Sequence, residues 1–148
     1  MSKLRILIPA IIIVGAAIAQ EATRSTWDGV YTEEQSRRGQ AAYSTRCASC
    51  HGPLLAGGEV APALAGGEFL ASWNGLTLGD LFERIRTTMP LDNPGKLSRD
   101  MNADILSYIL SVNQFPAGNA ELPRATEFLK QIRIDPMKPD PAKPERKN

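Results

Sequence analysis

The sequence predicts an all-α fold. Several segments place apolar residues at helical spacing directly behind a residue that can cap a helix, and no segment sustains the period-two alternation of a half-buried strand. Glycine and proline cluster between these segments, as at Gly57-Gly58 and Pro94-Gly95, which is typical of loops. The chain shows no internal repeat. We therefore expect a few short helices joined by irregular loops.

Residues 1–19 have the pattern of a secretory signal. Lys3 and Arg5 provide positive charge ahead of an apolar run, and this run ends in the small-x-small sequence Ala-Ile-Ala. We expect cleavage before Gln20 and export to the periplasm. The alternative is an uncleaved membrane anchor, although the run is shorter than the roughly 20 residues of a spanning helix.

The predicted mature chain is nearly neutral. Loss of Lys3 and Arg5 changes the formal net charge from +1 to about −1, because the signal segment contains no acidic residue. A neutral chain gives no electrostatic basis for binding nucleic acid. The sequence also lacks a glycine-rich phosphate loop, a paired-carboxylate constellation and a Ser-His-Asp set. We therefore expect no nucleic-acid partner and, after cleavage, no membrane span.

The first helix is predicted to begin at Glu33 and to run to Tyr43 or slightly beyond. Thr32 is followed three residues later by Gln35, which is the pattern of a capping box. Gly39 and Tyr43 lie four residues apart and therefore share a face of this helix. A glycine at that position lets another helix approach closely, with the aromatic ring beside it.

A second long helix is predicted behind Thr77, whose capping partner is Asp80. The apolar residues that follow have helical spacing: Leu78, Leu81, Phe82 and Ile85. This helix should end near Thr88, because Met89 precedes a proline and that position disfavours the α region.

Two further helices are expected in the same domain. One runs from about residue 100 to Asn113, and a shorter one lies at 68–73. The apolar stripe of the longer helix consists of Met101, Ile105, Ile109 and Val112, with Leu106 and Tyr108 beside it.

The character of the chain changes after Pro116. Residues 121–134 are predicted to form one more amphipathic helix that uses Phe128, Leu129 and Ile132. From Asp135 onward proline alternates with charge, which favours an extended, disordered tail. The predicted organisation is a signal at 1–19, a domain at 20–118 and an extension at 119–148.

The segment Cys47-Ala48-Ser49-Cys50-His51 contains both cysteines and the only histidine of the sequence. Cys-x-x-Cys-His is the attachment signature of c-type haem. Two thiols three positions apart lie on the same side of a helical turn, where each can form a thioether with a porphyrin vinyl group. The next residue can then bind the iron from the same side. We predict one haem c that is covalently bound by Cys47 and Cys50, with His51 as an axial ligand.

Two other uses of the motif compete with haem attachment. A structural zinc site needs four Cys or His ligands, and this sequence has three. A thioredoxin-like redox pair needs its Cys-x-x-Cys at the start of a helix within a βαβ pattern, which the sequence lacks. A Cys47–Cys50 disulfide is conceivable in the apoprotein, whereas haem attachment uses both sulfurs. The apoprotein itself should be poorly folded, because so small a domain supplies little core of its own.

The second axial ligand of the iron is predicted to be a methionine. Bis-histidine ligation is excluded because His51 is the only histidine, and methionine ligation raises the haem potential. Met89 is the strongest candidate, since it closes a helix, precedes Pro90 and begins a loop that can bring a side chain over the porphyrin. Met101 fits the apolar stripe of a helix, where methionine is usually core, and Met137 lies in the predicted tail.

The order of these motifs resembles that of a class I cytochrome c. Along the chain they are Gly39-x-x-x-Tyr43, the Cys-His motif followed by Gly52, Pro62-x-Leu64, Met89-Pro90, and a closing helix with Ile105 and Tyr108. The resemblance covers the predicted domain almost end to end. It implies a cytochrome c-like fold, in which short helices wrap around one covalently attached haem.

The resemblance also implies roles for individual residues. The first and last helices should cross where Gly39 and Tyr43 pack against Ile105 and Tyr108. The carbonyl of Pro62 should accept the Nδ1–H of His51, which fixes the tautomer of the ring and raises its basicity as a ligand. Met89 should be the distal ligand.

Two further segments resemble the cytochrome modules that accompany quinoprotein (PQQ-dependent) alcohol and sugar dehydrogenases. These are Trp-Asp-Gly-Val-Tyr-Thr at 27–32 and Phe69-x-x-x-Trp73. The resemblance suggests such a dehydrogenase as a partner. Trp73 is a candidate for contact with a haem propionate, and ordinary core packing is the alternative.

The function expected from these features is that of an exported electron carrier, not an enzyme. Its partners would be a dehydrogenase as donor and an oxidase or another cytochrome as acceptor in a respiratory chain. The alternative is a gas sensor or a peroxidase-like protein with an open distal position. Arg84 and Arg86 lie close before Met89 and are the residues that favour this alternative. A permanent cytochrome subunit of a larger redox complex is the third possibility.

Overall fold

The structure, a computed structural model, describes residues 22–140. The predicted signal at 1–19 and its cleavage site therefore lie outside the described residues. In chain order the elements are β1 (Arg24–Ser25), a 3-10 turn (Thr26–Asp28), α1 (Glu33–Arg46), α2 (Ala48–His51), α3 (Gly67–Trp73), α4 (Leu78–Thr88), α5 (Arg99–Val112), α6 (Thr126–Leu129) and β2 (Ile132–Arg133). The two strands have two residues each and pair in parallel, and the all-α fold class is confirmed.

The start of α1 follows the predicted cap only in part. The hydroxyl of Thr32 accepts a hydrogen bond from the backbone N–H of Gln35 at 3.1 Å. The amide of Gln35 turns instead to Leu122, where it accepts from the backbone N–H at 2.7 Å and donates to the carbonyl at 3.1 Å. Leu122 is buried, so its backbone needs these partners.

The helix that leads to Met89 is α4, and it has both of its predicted boundaries. Thr77 and Asp80 form the reciprocal capping box, with N–H to side-chain distances of 3.2 and 3.0 Å. The helix ends at Thr88, and Met89 has the extended backbone that the following proline requires. The peptide bond between Met89 and Pro90 is cis.

Helices α1 and α5 cross in contact at Gly39. A Cβ atom built on Gly39 would lie 1.8 Å from the carbonyl oxygen of Asp104 and 3.0 Å from Cβ of Tyr108. The rings of Tyr43 and Tyr108 lie beside this contact, with their centroids 5.4 Å apart. The close approach predicted from the glycine is therefore present, because only a residue without a side chain fits between these two backbones.

One hydrophobic core lies between these helices. Its largest fully buried apolar side chains from α1, α4, α5 and the loop after α2 are Tyr43, Leu55, Leu78, Phe82, Ile105, Leu106, Ile109 and Leu110. From the apolar stripe predicted for α5 and its neighbours, Ile105, Leu106 and Ile109 are buried, while Met101, Tyr108 and Val112 lie at the margin of the core.

The segment after residue 118 differs from its prediction. The helix predicted at 121–134 is reduced to α6, and Phe128 is 56% exposed. Leu122, Leu129, Ile132 and Ile134 are buried in the same core as the helical domain. Here the backbone bonds to distant residues in place of helical partners. The carbonyl of Gln131, for example, accepts from the N–H groups of Thr23 and Arg24 at 3.0 and 2.9 Å.

The start of the predicted disordered tail is also held in the structure. Asp135 accepts hydrogen bonds from the hydroxyl of Ser25 at 2.6 Å and from the indole N–H of Trp27 at 2.9 Å. The folded unit therefore includes residues 119–135. Among the described residues, no helix combines the length and the apolar character that crossing a bilayer requires.

Candidate haem site

The Cys-x-x-Cys-His motif forms a single helical turn at the end of α1. Cys47 ends α1 with its N–H on the carbonyl of Tyr43 at 2.9 Å, and its own carbonyl accepts from Cys50 and His51 at 3.2 and 3.0 Å. Both thiols are free in the structure. The turn places Cys47, Cys50 and His51 on the wall of one cavity.

This cavity is large and mostly apolar. Its volume is about 1250 Å³, whereas small-molecule sites typically measure roughly 300–1,000 Å³. Apolar side chains of α3, α4 and α5 form much of its lining: Phe69, Trp73, Leu81, Ile85, Ile105 and Ile109.

The ring of His51 is buried and held in one orientation. Its Nδ1 lies 2.8 Å from the carbonyl oxygen of Pro62. Because a carbonyl can only accept, Nδ1 carries the proton, and the lone pair of the neutral ring is on Nε2. This is the tautomer that a histidine needs to bind a metal through Nε2.

The loop after the motif fixes the position of the Pro62 carbonyl. The N–H of Gly57 donates to the carbonyl of His51 at 2.9 Å, and the N–H of Leu64 donates to that of Leu55 at 2.8 Å. Gly57 has a left-handed backbone, and a Cβ there would lie 2.7 Å from the carbonyl carbon of Pro62. Gly57-Gly58 is predicted from the sequence only as a loop, although a glycine pair between a ligand and its partner is a signal for a close backbone approach.

Tyr43 connects this loop to the helix crossing. Its hydroxyl donates to the carbonyl of Gly52 at 2.7 Å, directly after the motif. Burial, followed by the neighbouring Cys47, raises the pKa of Tyr43 to about 12, so the phenol remains a donor. The sequence predicted the packing role of this ring but not its hydrogen bond.

The environment of Cys47 argues against a thioredoxin-like pair. Burial, and after it the neighbouring Cys50, raises the pKa of the Cys47 thiol to about 11. Redox-active cysteines of the Cys-x-x-Cys type have a lowered pKa, because the thiolate is the reactive form. As for zinc, no three His, Cys, Asp or Glu side chains converge as a metal site within residues 22–140.

Both candidate methionine ligands line the cavity. Met89 lies at the end of α4, where its N–H still bonds to the carbonyl of Ile85 at 2.9 Å, and Met101 lies in the first turns of α5. Each is partly exposed. Met137, the candidate in the predicted tail, is 81% exposed and is not among the cavity residues.

The remaining predicted site residues differ in their positions. Trp73 lines the cavity beside Phe69, with ring centroids 6.4 Å apart. Arg84 also lines the cavity, whereas Arg86 forms an ion pair with Glu83 at 2.5 Å. Two further cations at the cavity, Arg46 and Lys96, were not singled out from the sequence, because isolated basic residues carry no spacing signal.

The residues present fit a covalently bound haem. The two thiols and His51 lie on the same wall, as thioether formation and axial ligation require. A thioether donor, Met89 or Met101, is available at the same cavity. The apolar lining and the volume suit a large, flat, hydrophobic group. The fold and this site define a class I c-type cytochrome with one haem.

Comparisons with known proteins place the chain within that class. Residues 34–109 match the family described as cytochrome C oxidase, cbb3-type, subunit III. No curated protein matches. Since the match covers half of the sequence, the chain belongs to this family, binds haem c covalently, and transfers electrons.

A solved structure shares the fold. It is that of the sulfane dehydrogenase SoxCD from Paracoccus pantotrophus, with 22% sequence identity and a TM-score of 0.51. The match covers 78% of this chain and 66% of that one, so this chain spans a little under two thirds of the length of its structural relative.

Proposed function

We propose that this protein is an exported electron carrier, without enzymatic activity, that takes electrons from a periplasmic dehydrogenase and passes them to a respiratory acceptor. The signal pattern at 1–19 supports export to the periplasm. The resemblance at 27–32 and at Phe69 and Trp73 makes quinoprotein dehydrogenases the first candidates for the donor. An oxidase or another cytochrome would be the acceptor.

The observation that carries this proposal is the set of side chains at one cavity. Cys47 and Cys50 would hold the haem, and His51 and Met89 would be its axial ligands. When bound, the haem supplies an iron that alternates between the ferric and ferrous states. With both of these side chains bound, no position at the iron would remain for a substrate, which favours electron transfer over catalysis.

The protein contributes fixed geometry and a low dielectric. The Pro62 carbonyl holds His51 in one tautomer, and the last turn of α4 holds Met89 at the cavity. The apolar walls exclude water and so affect the potential at which the iron changes its charge. Because its ligands are held in place, the protein would need little structural rearrangement when the iron gains or loses an electron.

The rim of the cavity is a suitable surface for short-lived redox encounters. Leu54, Val60 and Leu91 are 80%, 80% and 76% exposed. Val60 and Leu91 line the cavity itself, and Cys50 is exposed beside them. We place the docking surface at 52–58 and 89–96, with Val60 directly beside it, where a small contact suffices for a transient complex.

Replacement of Met89 tests the axial ligand and hence the carrier function. In Met89→Ala the iron loses its thioether ligand, so the midpoint potential should fall and the ferric protein should bind added imidazole readily. Potentiometric titration and absorption spectroscopy measure the two effects. The control is Met101→Leu, which conserves volume and should change neither. An unchanged potential in Met89→Ala would refute the assignment.

A permanent subunit of a larger redox complex is the second candidate, because the family to which the chain belongs is described as an oxidase subunit. A carrier should purify alone from its native membranes and periplasm under mild conditions. A subunit should remain with a large partner at stoichiometric ratio. Size-exclusion chromatography with haem detection separates the two possibilities.

A further inference from the structure

Residues 121–135, here called the strap, run from α1 across α5 and α4 to the N-terminal strand. The backbone of Leu122 is bound by Gln35 of α1, and Leu129 is fully buried. At the other end, Ile134 exchanges backbone hydrogen bonds with the turn before α4, where its N–H donates to Leu76 at 2.8 Å and its carbonyl accepts from Gly75 at 3.0 Å.

The strap packs directly on α4. A Cβ atom on Gly79, in the first turn of α4, would lie 2.8 Å from the backbone nitrogen of Lys130. One turn further along α4, the hydroxyl of Thr126 donates to the carboxylate of Glu83 in a short hydrogen bond. The same carboxylate receives the guanidinium of Arg86. The strap thus binds α4 at its start and at its middle, about one turn and a half before Met89.

The strap also binds the start of α5. The guanidinium of Arg99 donates to the carbonyl of Arg124 at 3.2 Å and to the hydroxyl of Thr126 at 3.4 Å. Arg124 itself forms an ion pair with Asp100 at 2.7 Å. The loop at 89–98 connects α4 to α5, so Thr126 bonds to helices at both ends of the loop that begins with Met89.

We propose that Thr126 is a positioning residue for Met89: its hydrogen bond to Glu83, at the middle of α4, holds the helix against the strap and thereby keeps the methionine on the iron. The inference rests on the proposed function, in which Met89 is an axial ligand. Without this bond, α4 and its last turn shift away from the cavity more often, and the sixth position of the iron opens to other ligands.

Imidazole binding to the ferric holoprotein measures this opening directly. An added ligand competes with Met89, so its apparent affinity rises with the fraction of molecules in which the methionine is displaced. A hydrogen bond to a charged group is strong enough that Thr126→Val should bind imidazole roughly three- to tenfold more tightly than wild type. Thr126→Ser keeps the hydroxyl and should restore the wild-type affinity.

Two controls separate positioning from general stability. Thr87→Val makes the same replacement on α4, but the Thr87 hydroxyl binds the carbonyl of Glu83 within the helix and not the strap. Ser25→Ala removes the hydroxyl bound to Asp135, at the far end of the strap. Ser25→Ala should lower the urea midpoint, and both controls should bind imidazole within about twofold of wild type.

The results distinguish the possible failures. If Thr126→Val binds imidazole like wild type, or if Ser25→Ala raises the affinity equally, the positioning role is refuted. If Thr126→Val does not fold, Glu83→Gln weakens the same contact and must show the same increase. If Met89→Ala itself leaves the affinity unchanged, Met89 is not the ligand, and the positioning role of Thr126 is refuted together with that assignment. If Met89→Ala raises the imidazole affinity and Thr126→Val does not, the carrier function stands and the role of Thr126 is refuted.

Discussion

At the scale of single residues, Gly57 determines where the partner of His51 lies. Its left-handed backbone, with φ of +75°, turns the loop back toward the motif. An added Cβ would lie 2.5 Å from the backbone nitrogen of Ala63 and 2.7 Å from the carbonyl carbon of Pro62. Any side chain at this position must therefore displace the segment whose carbonyl binds the histidine.

Gly57→Ala and Gly58→Ala form a matched pair that tests this role. Gly57→Ala should cost about 2–3 kcal/mol of unfolding free energy, because it combines left-handed strain with a backbone clash, and it should also shift the midpoint potential. In Gly58→Ala the nearest atom is the Cys50 carbonyl at an ordinary 3.7 Å, so the expected change is within about 0.5 kcal/mol. Urea unfolding and potentiometry measure both. Equal effects in the two variants would mean that Gly57 does not determine the position of the Pro62 carbonyl.

The haem motif could be predicted from the sequence because its chemistry is contiguous. Cys47, Cys50 and His51 form one turn, so their spacing alone places them together. Pro62 lies eleven residues beyond His51, and only the resemblance to a family pointed to it. The hydrogen bond of Tyr43 to Gly52 depends on how a loop folds back, which no local pattern records.

At the scale of elements, the crossing of α1 and α5 depends on the absence of a side chain at Gly39. The carbonyl of Asp104 occupies the space that a Cβ would need. Backbone atoms cannot move aside as a flexible side chain can, so the helices would have to separate.

Gly39→Ala should lower the free energy of unfolding by about 3 kcal/mol, because the new methyl group forces the two backbones apart. Gly67→Ala is its control, since Gly67 also lies in a helix but has no atom within 4 Å of an added Cβ. That variant should be neutral or more stable by about 0.5 kcal/mol, because alanine reduces the entropy of the unfolded chain. A Gly39→Ala protein as stable as wild type would show that the helices do not meet as described.

Elements with local signals were predicted well, and those with distant partners were not. Thr77 and Asp80 mark the start of α4 within four residues of sequence, and Pro90 marks its end. The helix expected at 121–134 fails because its backbone partners are supplied by Gln35 and by residues 23–24. The apolar residues of that segment are spaced as they are because an extended chain buries them one after another. Over so short a stretch, this spacing resembles that of an amphipathic helix.

At the scale of the whole molecule, the carboxylate of Glu83 is one of the groups that join the strap to the helical domain. The ion pair with Arg86, then the hydrogen bond from Thr126, lowers the pKa of Glu83 to about 2, and Arg99 of α5 adds to the same effect. A lowered pKa means that the ionised form is favoured in the folded state. Its contribution to stability is therefore present above the ordinary pKa of about 4.5 and is lost as the pH falls toward 2.

The contribution of the Glu83 carboxylate should be visible in the pH dependence of the stability. Wild type should unfold at higher urea than Glu83→Gln near pH 6, and the difference should shrink as the pH falls below about 4.5. Subtracting the stability of Glu83→Gln from that of wild type at each pH cancels the contribution of the other carboxylates. A difference that stays constant down to about pH 2.5 would mean that Glu83 has no lowered pKa.

The absorption spectrum of the reduced holoprotein, recorded before and after addition of carbon monoxide, tests the carrier function and its pair of axial ligands. If His51 and Met89 hold the iron and the protein is an electron carrier, the spectrum should remain unchanged. Prompt formation of a carbon monoxide adduct would show an open or weakly held sixth position. That result would contradict the carrier function and favour a sensor or a peroxidase-like protein.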